Sequence, residues 1–255
     1  MARPPRWVGA LVPLLLVAVW EIAARRGDAP EYLPAPSVIL AELGALVASG
    51  DLFVHAAASL YRALGAFAIG AVTGAAVGLA AGTLRAVERF YEPIISLTYP
   101  VPKIAALPIV FAWFGLGDVS KIVIITISVF YPIYIAAFFG AKGTSRVHVW
   151  AARNMGAGRW QIFRRIVLPS ALPQLFNGLR VGLALSFIVM VVAELVASQR
   201  GLGYLIAFSE EQTRFDIMYA AILTIGVLGF AADRVLLAVR RRALKGQLLA
   251  TAEAR

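Results

Sequence analysis

Residues 119–141 read VSKIVIITISVFYPIYIAAFFGA, 23 residues carrying one charge, Lys121, and they are followed at once by Lys142. At about 1.5 Å of rise per residue, a helix of this length spans the roughly 30 Å hydrocarbon core of a bilayer. The block is one of several. By the same reading, spans fall at about 7–25, 63–84, 94–115, 119–141, 177–198 and 217–239, which makes residues 1–255 a single transmembrane domain of the all-α class. Composition agrees: 60% of the 255 residues are hydrophobic and 15% charged, with a mean hydropathy of +0.80, against about 25% charged in soluble domains.

A formal net charge of +10 raises the question of nucleic acid, but the positions of the basic residues point to a lipid bilayer instead. Arg85 and Arg89 follow the second block. Lys142, Arg146, Arg153, Arg159, Arg164 and Arg165 follow the fourth, and Arg240, Arg241, Arg242 and Lys245 follow the sixth. With Arg3 and Arg6 they mark one side as cytoplasmic and put both termini there. Arg3 and Arg6 ahead of the apolar run Trp7 to Ala24 resemble the start of a secretory signal. Arg25 and Arg26 stand where a cleavage site would need small residues, so the run is read as a retained span. The chain has no cysteine, which excludes disulfides and thiolate metal sites.

Several features inside the blocks bear on packing and transport. Gly70, Gly74, Gly78 and Gly82 form a stripe of small residues that allows close helix approach, within the subunit or across a dimer. Pro100, Pro102 and Pro108 break the third block, which then needs protein or water around its freed carbonyls. Lys103 and its neighbour Pro102 are pathway candidates, Lys103 for meeting an anion unless it snorkels to the cytoplasmic interface. Glu194 is a third pathway candidate, about four residues from the outer end of its block and expected to be water-exposed there. Arg180 joins the cytoplasmic basic belt. Between the first two blocks, Ser37 is expected to N-cap a helix with Leu40, Leu43 and Val47 on its apolar face. That helix either lies on the outer interface or packs as an elbow.

The connection from Lys142 to about Phe176 is long for a link between spans. It reads as a helix over Val147 to Met155, a turn at Gly156-Ala157-Gly158, and a second helix over Arg159 to Leu168. In that second helix Ile162, Phe163 and Ile166 share a face, and Pro169 and Pro173 punctuate the return to the membrane. Such a hairpin is suited to docking in a partner's groove. No phosphate-binding Gly-x-x-x-x-Gly-Lys-Ser/Thr loop occurs, so this chain is expected to be no ATPase and no enzyme.

The run Trp150-Ala151-Ala152-Arg153-Asn154-Met155-Gly156-Ala157-Gly158-Arg159 with Ile166-Val167-Leu168-Pro169 resembles the cytoplasmic "EAA" loop of binding-protein-dependent ABC importer permeases. Trp150 stands where that pattern has Glu. Tyr32 to Ser37, Tyr99 to Lys103, Trp113 to Gly117, Val192-Ala193-Glu194 and Gly201-Leu202-Gly203-Tyr204 are similar to the nitrate/sulfonate/taurine branch. The resemblance implies a type I permease fold in the bacterial cytoplasmic membrane. It further implies a homodimer, two ATPase subunits holding ATP and Mg²⁺, and an extracytoplasmic substrate-binding protein, with no cofactor or metal in this chain. It assigns Trp150, Ala151, Ala152, Arg153, Met155, Gly156, Ala157 and Arg159 to ATPase coupling. The solute would be a small anion such as a sulfonate, taurine or nitrate. Two other classes are weaker. An ion-coupled transporter would want intramembrane acids and an internal repeat, and a membrane enzyme a convergent polar set that His55 and His148, outside the blocks, do not supply.

Overall fold

The structure, a computed structural model, describes residues 8–27, 30 and 32–244, and all regular structure among them is helical. Arg3, Arg6, Trp7 and Lys245, used above for orientation and the first span, lie outside the described residues. In chain order the helices are α1 Val8–Arg26, α2 Pro36–Ser49, α3 Asp51–Thr83, α4 Arg85–Thr98, α5 Leu107–Phe114, α6 Asp118–Lys142, α7 Arg146–Asn154, α8 Arg159–Ile162, α9 Leu168–Val196, α10 Leu202–Glu211 and α11 Phe215–Ala243. A 3₁₀ turn, Lys103–Ala106, precedes α5, and a π turn, Phe163–Val167, joins α8 to α9. Among the described residues, four helices are long and apolar enough to cross a membrane: α3, α6, the α8–α9 run and α11. The α4–α5 pair, bent by 85°, makes a fifth if it counts as one broken span.

The core is a stack of α3, α6 and α9, with α6 in the middle. Ile124, Ile125, Val129 and Ile133 of α6 are fully buried, and glycines on both neighbours make that possible. The stripe on α3 meets α6 rather than another subunit. A Cβ at Gly78 would stand 2.5 Å from the Tyr134 carbonyl oxygen, and one at Gly82 2.7 Å from the Ala141 Cβ. Gly182 on α9 closes on Ile133 in the same way, leaving 2.8 Å for a Cβ. Without side chains at these positions the backbones approach closely, which gives the van der Waals packing that holds helices together where lipid supplies no hydrophobic drive. On the outer faces, large apolar side chains such as Leu14, Leu16, Val72 and Val227 point outward, as a lipid-immersed surface requires.

Three expectations are corrected. First, Ser37 is not the cap of α2. Pro36, whose fixed φ suits the first helical position, starts the helix two residues sooner, with Ala35 at the N-cap. The Ser37 backbone N–H and hydroxyl both donate to Glu21 of α1, at 2.9 and 2.7 Å, so a carboxylate from another helix does the capping. The buried stripe of α2 is accordingly Ile39, Leu43 and Leu46, packed on Leu202, Leu205, Ile206, Ala220 and Ala221 of α10 and α11. Leu40 and Val47 face outward, and the elbow alternative is the one observed.

Second, Pro169 does not end a helix: α8 runs through the π turn into α9, as one 38-residue helix Arg159–Val196. The Leu168 N–H reaches back to the Phe163 carbonyl, and the widened turn makes room for the proline ring that follows. Third, Glu194 is 1% exposed, not solvated, for the reason given below. The break at Pro100 and Pro102 occurs as expected, with α4 ending at Thr98 and the chain resuming after the bend at Lys103.

Candidate functional site

Three clusters carry the candidate residues, and the hairpin over α7 and α8 is the first. Helix α7 ends in a Schellman motif. The Ala157 N–H donates to the Ala152 carbonyl and the Gly156 N–H to that of Arg153, both at 2.9 Å. Gly156 holds φ +82°, in the region that a Cβ disfavours. Ala152 and Ala157 are the apolar pair that accompanies such a cap, and both pack onto the core with Ile162, Phe163 and Ile166. The hairpin is thus anchored by one face. Its other face presents Trp150 (59% exposed), Met155 (80%) and Trp160, with Ala151, Arg153 and Arg159 also exposed. Exposed aromatic and thioether side chains among arginines, on an anchored support, form a surface suited to a partner groove.

The second cluster is the break itself. Lys103 donates from Nζ to the carbonyls of Thr98 at 2.9 Å and Tyr99 at 2.6 Å, so it caps the broken end of α4. Its ammonium also lies 4.0 Å from the centre of the Tyr131 ring, and the Tyr131 hydroxyl donates to Thr98 Oγ1 at 2.8 Å. Lys103 is half-buried, while Pro102 and its neighbours Tyr99 and Val101 are exposed. A cation therefore stands, partly open, where the freed carbonyls would otherwise be orphaned.

The third cluster was not foreseen as one. Glu194 of α9 and Arg62 of α3 (4% exposed) form a buried ion pair at 2.5 Å. Arg62 also donates to Asp118 of α6 at 2.7 Å and to the Arg200 carbonyl at 2.6 Å. Ser59 donates to Glu194 Oε2 at 2.8 Å, and the Gly203 N–H to the same oxygen at 2.9 Å. The Leu202 N–H donates to Ser59 at 2.8 Å. Lys121, also buried, donates to the carbonyls of Leu116 and Gly117. Each buried charge thus has a partner, as a low-dielectric site demands. A Cβ at Gly203 would meet the Glu194 Cβ at 2.6 Å, and one at Gly201, whose φ is +127°, would strike the carboxylate. The motifs Val192-Ala193-Glu194 and Gly201-Leu202-Gly203, separate in sequence, are the two halves of this one contact.

In the sequence Lys121 reads only as the one charge of its block, and Arg62, Asp118 and Ser59 do not stand out. The available signal was that single acids and bases inside apolar blocks need each other. Pathway candidates Pro102 and Lys103 lie together on the exposed break, whereas both Glu194 oxygens are occupied by groups of its own subunit. Arg180 pairs with Asp233 of α11 at 2.7 Å.

This arrangement has relatives. The family described as the binding-protein-dependent transport system inner membrane component matches residues 51–245. The taurine transport system permease protein TauC of Escherichia coli K12 is 36% identical over 240 residues, 92% of this chain and 87% of its own length. The putative aliphatic sulfonates transport permease protein SsuC of Bacillus subtilis 168 is 32% identical over 238 residues, 93% and 86% of the two chains. An inward-facing structure of the MetNI methionine ABC transporter superposes with a TM-score of 0.57 at 23% identity, covering 71% of this chain and 93% of that one. Neither family nor fold supports the ion-coupled alternative. The chain belongs to the binding-protein-dependent inner membrane component family and is a multi-pass permease component of an ABC importer.

Proposed function

We propose that two copies of this chain form the translocation pathway for a small anion of the sulfonate or taurine class, nitrate being a further member of the same group. Two separate ATPase subunits, holding ATP and Mg²⁺, drive the cycle through the α7–α8 hairpin, and an extracytoplasmic binding protein delivers the solute. The hairpin side and both termini are cytoplasmic, in a bacterial cytoplasmic membrane. The observation that carries the coupling role is the hairpin itself, with Trp150, Met155 and Trp160 outward and Ala152, Ala157 and Ile162 anchored. Movement of a docked partner would be passed through the unbroken α8–α9 helix to the centre of the bundle as a rigid-body rotation. The Ala–Ala–x₃–Gly spacing of the loop is then the spacing of a helix that must stop sharply and turn. The substrate class rests on the two relatives named for taurine and aliphatic sulfonates. Lys103, with Pro102 beside it, is the cation placed to meet the anion, and Glu194 serves as an internal anchor.

Gly156→Val tests the coupling. A β-branched residue at φ +82° strains the turn by about 1–3 kcal/mol, far from the membrane core. Uptake of radiolabelled taurine or alkanesulfonate by cells is expected to fall at least about tenfold, corresponding to roughly 1.4 kcal/mol, with membrane abundance of the variant unchanged. Normal uptake by Gly156→Val would refute the docking role.

A further inference from the structure

A groove of about 320 Å³ runs between α9 and α11. Its walls are Leu183, Ala184, Phe187, Ile225 and Phe230, and Gly226 and Gly229 leave it open on the α11 side. A Cβ at Gly226 would meet nothing within 4 Å. At one end stands a charged cluster. Arg180 donates to Asp233 through Nε and Nη2 at 2.7 and 3.3 Å. Arg234 donates to the same carboxylate at 2.8 Å and lies over the Phe230 ring at 4.9 Å. Two guanidiniums share one carboxylate, so the cluster is left with one net positive charge and with unused N–H donors, since each guanidinium has five. Arg240, Arg241 and Arg242 follow about two turns further along α11.

We propose that this groove binds one anionic phospholipid, its phosphate on Arg180 and Arg234 and an acyl chain along the apolar walls. Depth and charge both fit that occupant. Arg180 lies 16 residues from the Val196 end of α9 and Asp233 lies 18 residues from the Phe215 end of α11, about 24 and 27 Å at helical rise. Both therefore sit near the far boundary of a roughly 30 Å hydrocarbon core, where headgroup phosphates begin. From there the walls at Leu183, Phe187 and Ile225 run inward toward the midplane, which is the course of an acyl chain. A single phosphodiester would neutralise the cluster, and basic pockets between spans are of the kind that hold anionic headgroups. Assignment to the cytoplasmic leaflet rests on the orientation proposed above, but the binding itself does not, so each can fail separately.

The test uses the full chain with its ATPase partner, purified in mild detergent, with dioleoyl phosphatidylglycerol and dioleoyl phosphatidylcholine as probes. Native mass spectrometry is expected to retain the phosphatidylglycerol. At a hundredfold excess over Kd this lipid should raise Tm by roughly 5 °C, and phosphatidylcholine should not. Gly226→Leu fills the groove from a position with free space and should abolish retention. Arg234→Gln leaves the Arg180–Asp233 pair closed and should remove the preference between the two lipids. Equal shifts by both lipids in the unaltered protein would overturn the proposal. So would undiminished retention by Gly226→Leu, including the case in which that variant separates the dimer and thereby shows that a second copy covers the groove.

Discussion

Glu194 and Arg62 form a fully enclosed ion pair, each held by further donors and acceptors: Ser59 and Gly203 on the acid, Asp118 and the Arg200 carbonyl on the base. Taking two charges out of water costs several kcal/mol apiece, so the pair stands for specificity more than for net stability. Its removal by halves is another matter. Glu194→Ala leaves a buried guanidinium with an exposed Asp118 as its one remaining acid, and should destabilise the chain by about 3–5 kcal/mol. Thermal unfolding in detergent checks this. Glu194→Gln, which can still accept from Ser59 and Gly203, is expected to fall between the two. An unchanged Tm for Glu194→Ala would mean that Asp118 alone satisfies Arg62. The acid was visible in the sequence, but its burial was not, because nothing local tells that a residue 132 positions earlier supplies the counter-charge.

For the helices, the glycine stripe on α3 separates what the sequence states from what it leaves open. The four-residue spacing announces a close helix contact; the partner, α6 of the same chain, is known from the fold alone. The stripe also makes a directional claim. Gly78→Val would drive side-chain atoms into the Tyr134 carbonyl, 2.5 Å from a Cβ, and should destabilise the fold by about 1–3 kcal/mol, the cost typical of an overpacked core, read as a lowered Tm. Gly65, on the same helix but with nothing within 4 Å of a Cβ, is its control. Gly65→Ala should be neutral or more stable by about 0.5–1 kcal/mol through helix propensity. Equal destabilisation by both substitutions would show that loss of glycine as such, and not the α3–α6 seam, is what matters. The prolines teach the same lesson. Pro102 breaks its helix and Pro169 does not, because a π turn precedes the second and relieves its clash.

Across the whole molecule, the ion-pair cluster ties α3, α6, α9 and the start of α10 at one end of the bundle, and the hairpin hangs from the other end of α9. The two ends of one long helix thus carry the groups that hold the bundle together and the groups offered to a partner. The proposed orientation follows from basic residues flanking the spans, and the absence of cysteine allows a clean check. Arg153→Cys in the hairpin should react with an impermeant maleimide only after the membrane is opened, and Glu42→Cys on α2 should react in intact spheroplasts. The reverse pattern would invert the topology while leaving the fold and the α9–α11 groove as they are.

The sequence by itself determined the all-helical membrane class, the broken third block and the hairpin with its glycine stop. These follow from composition, periodicity and turn chemistry, which act over a few residues and so can be read in order along the chain. The tertiary structure alone decided that α3's glycines meet α6, that Glu194 is buried against Arg62, that Lys103 caps the broken end of α4 and that α2 buries Ile39 rather than Leu40. Those outcomes depend on which distant groups come within a few ångströms. A buried charge or a bare backbone is stable only against a particular partner, and the identity of that partner is a property of the fold.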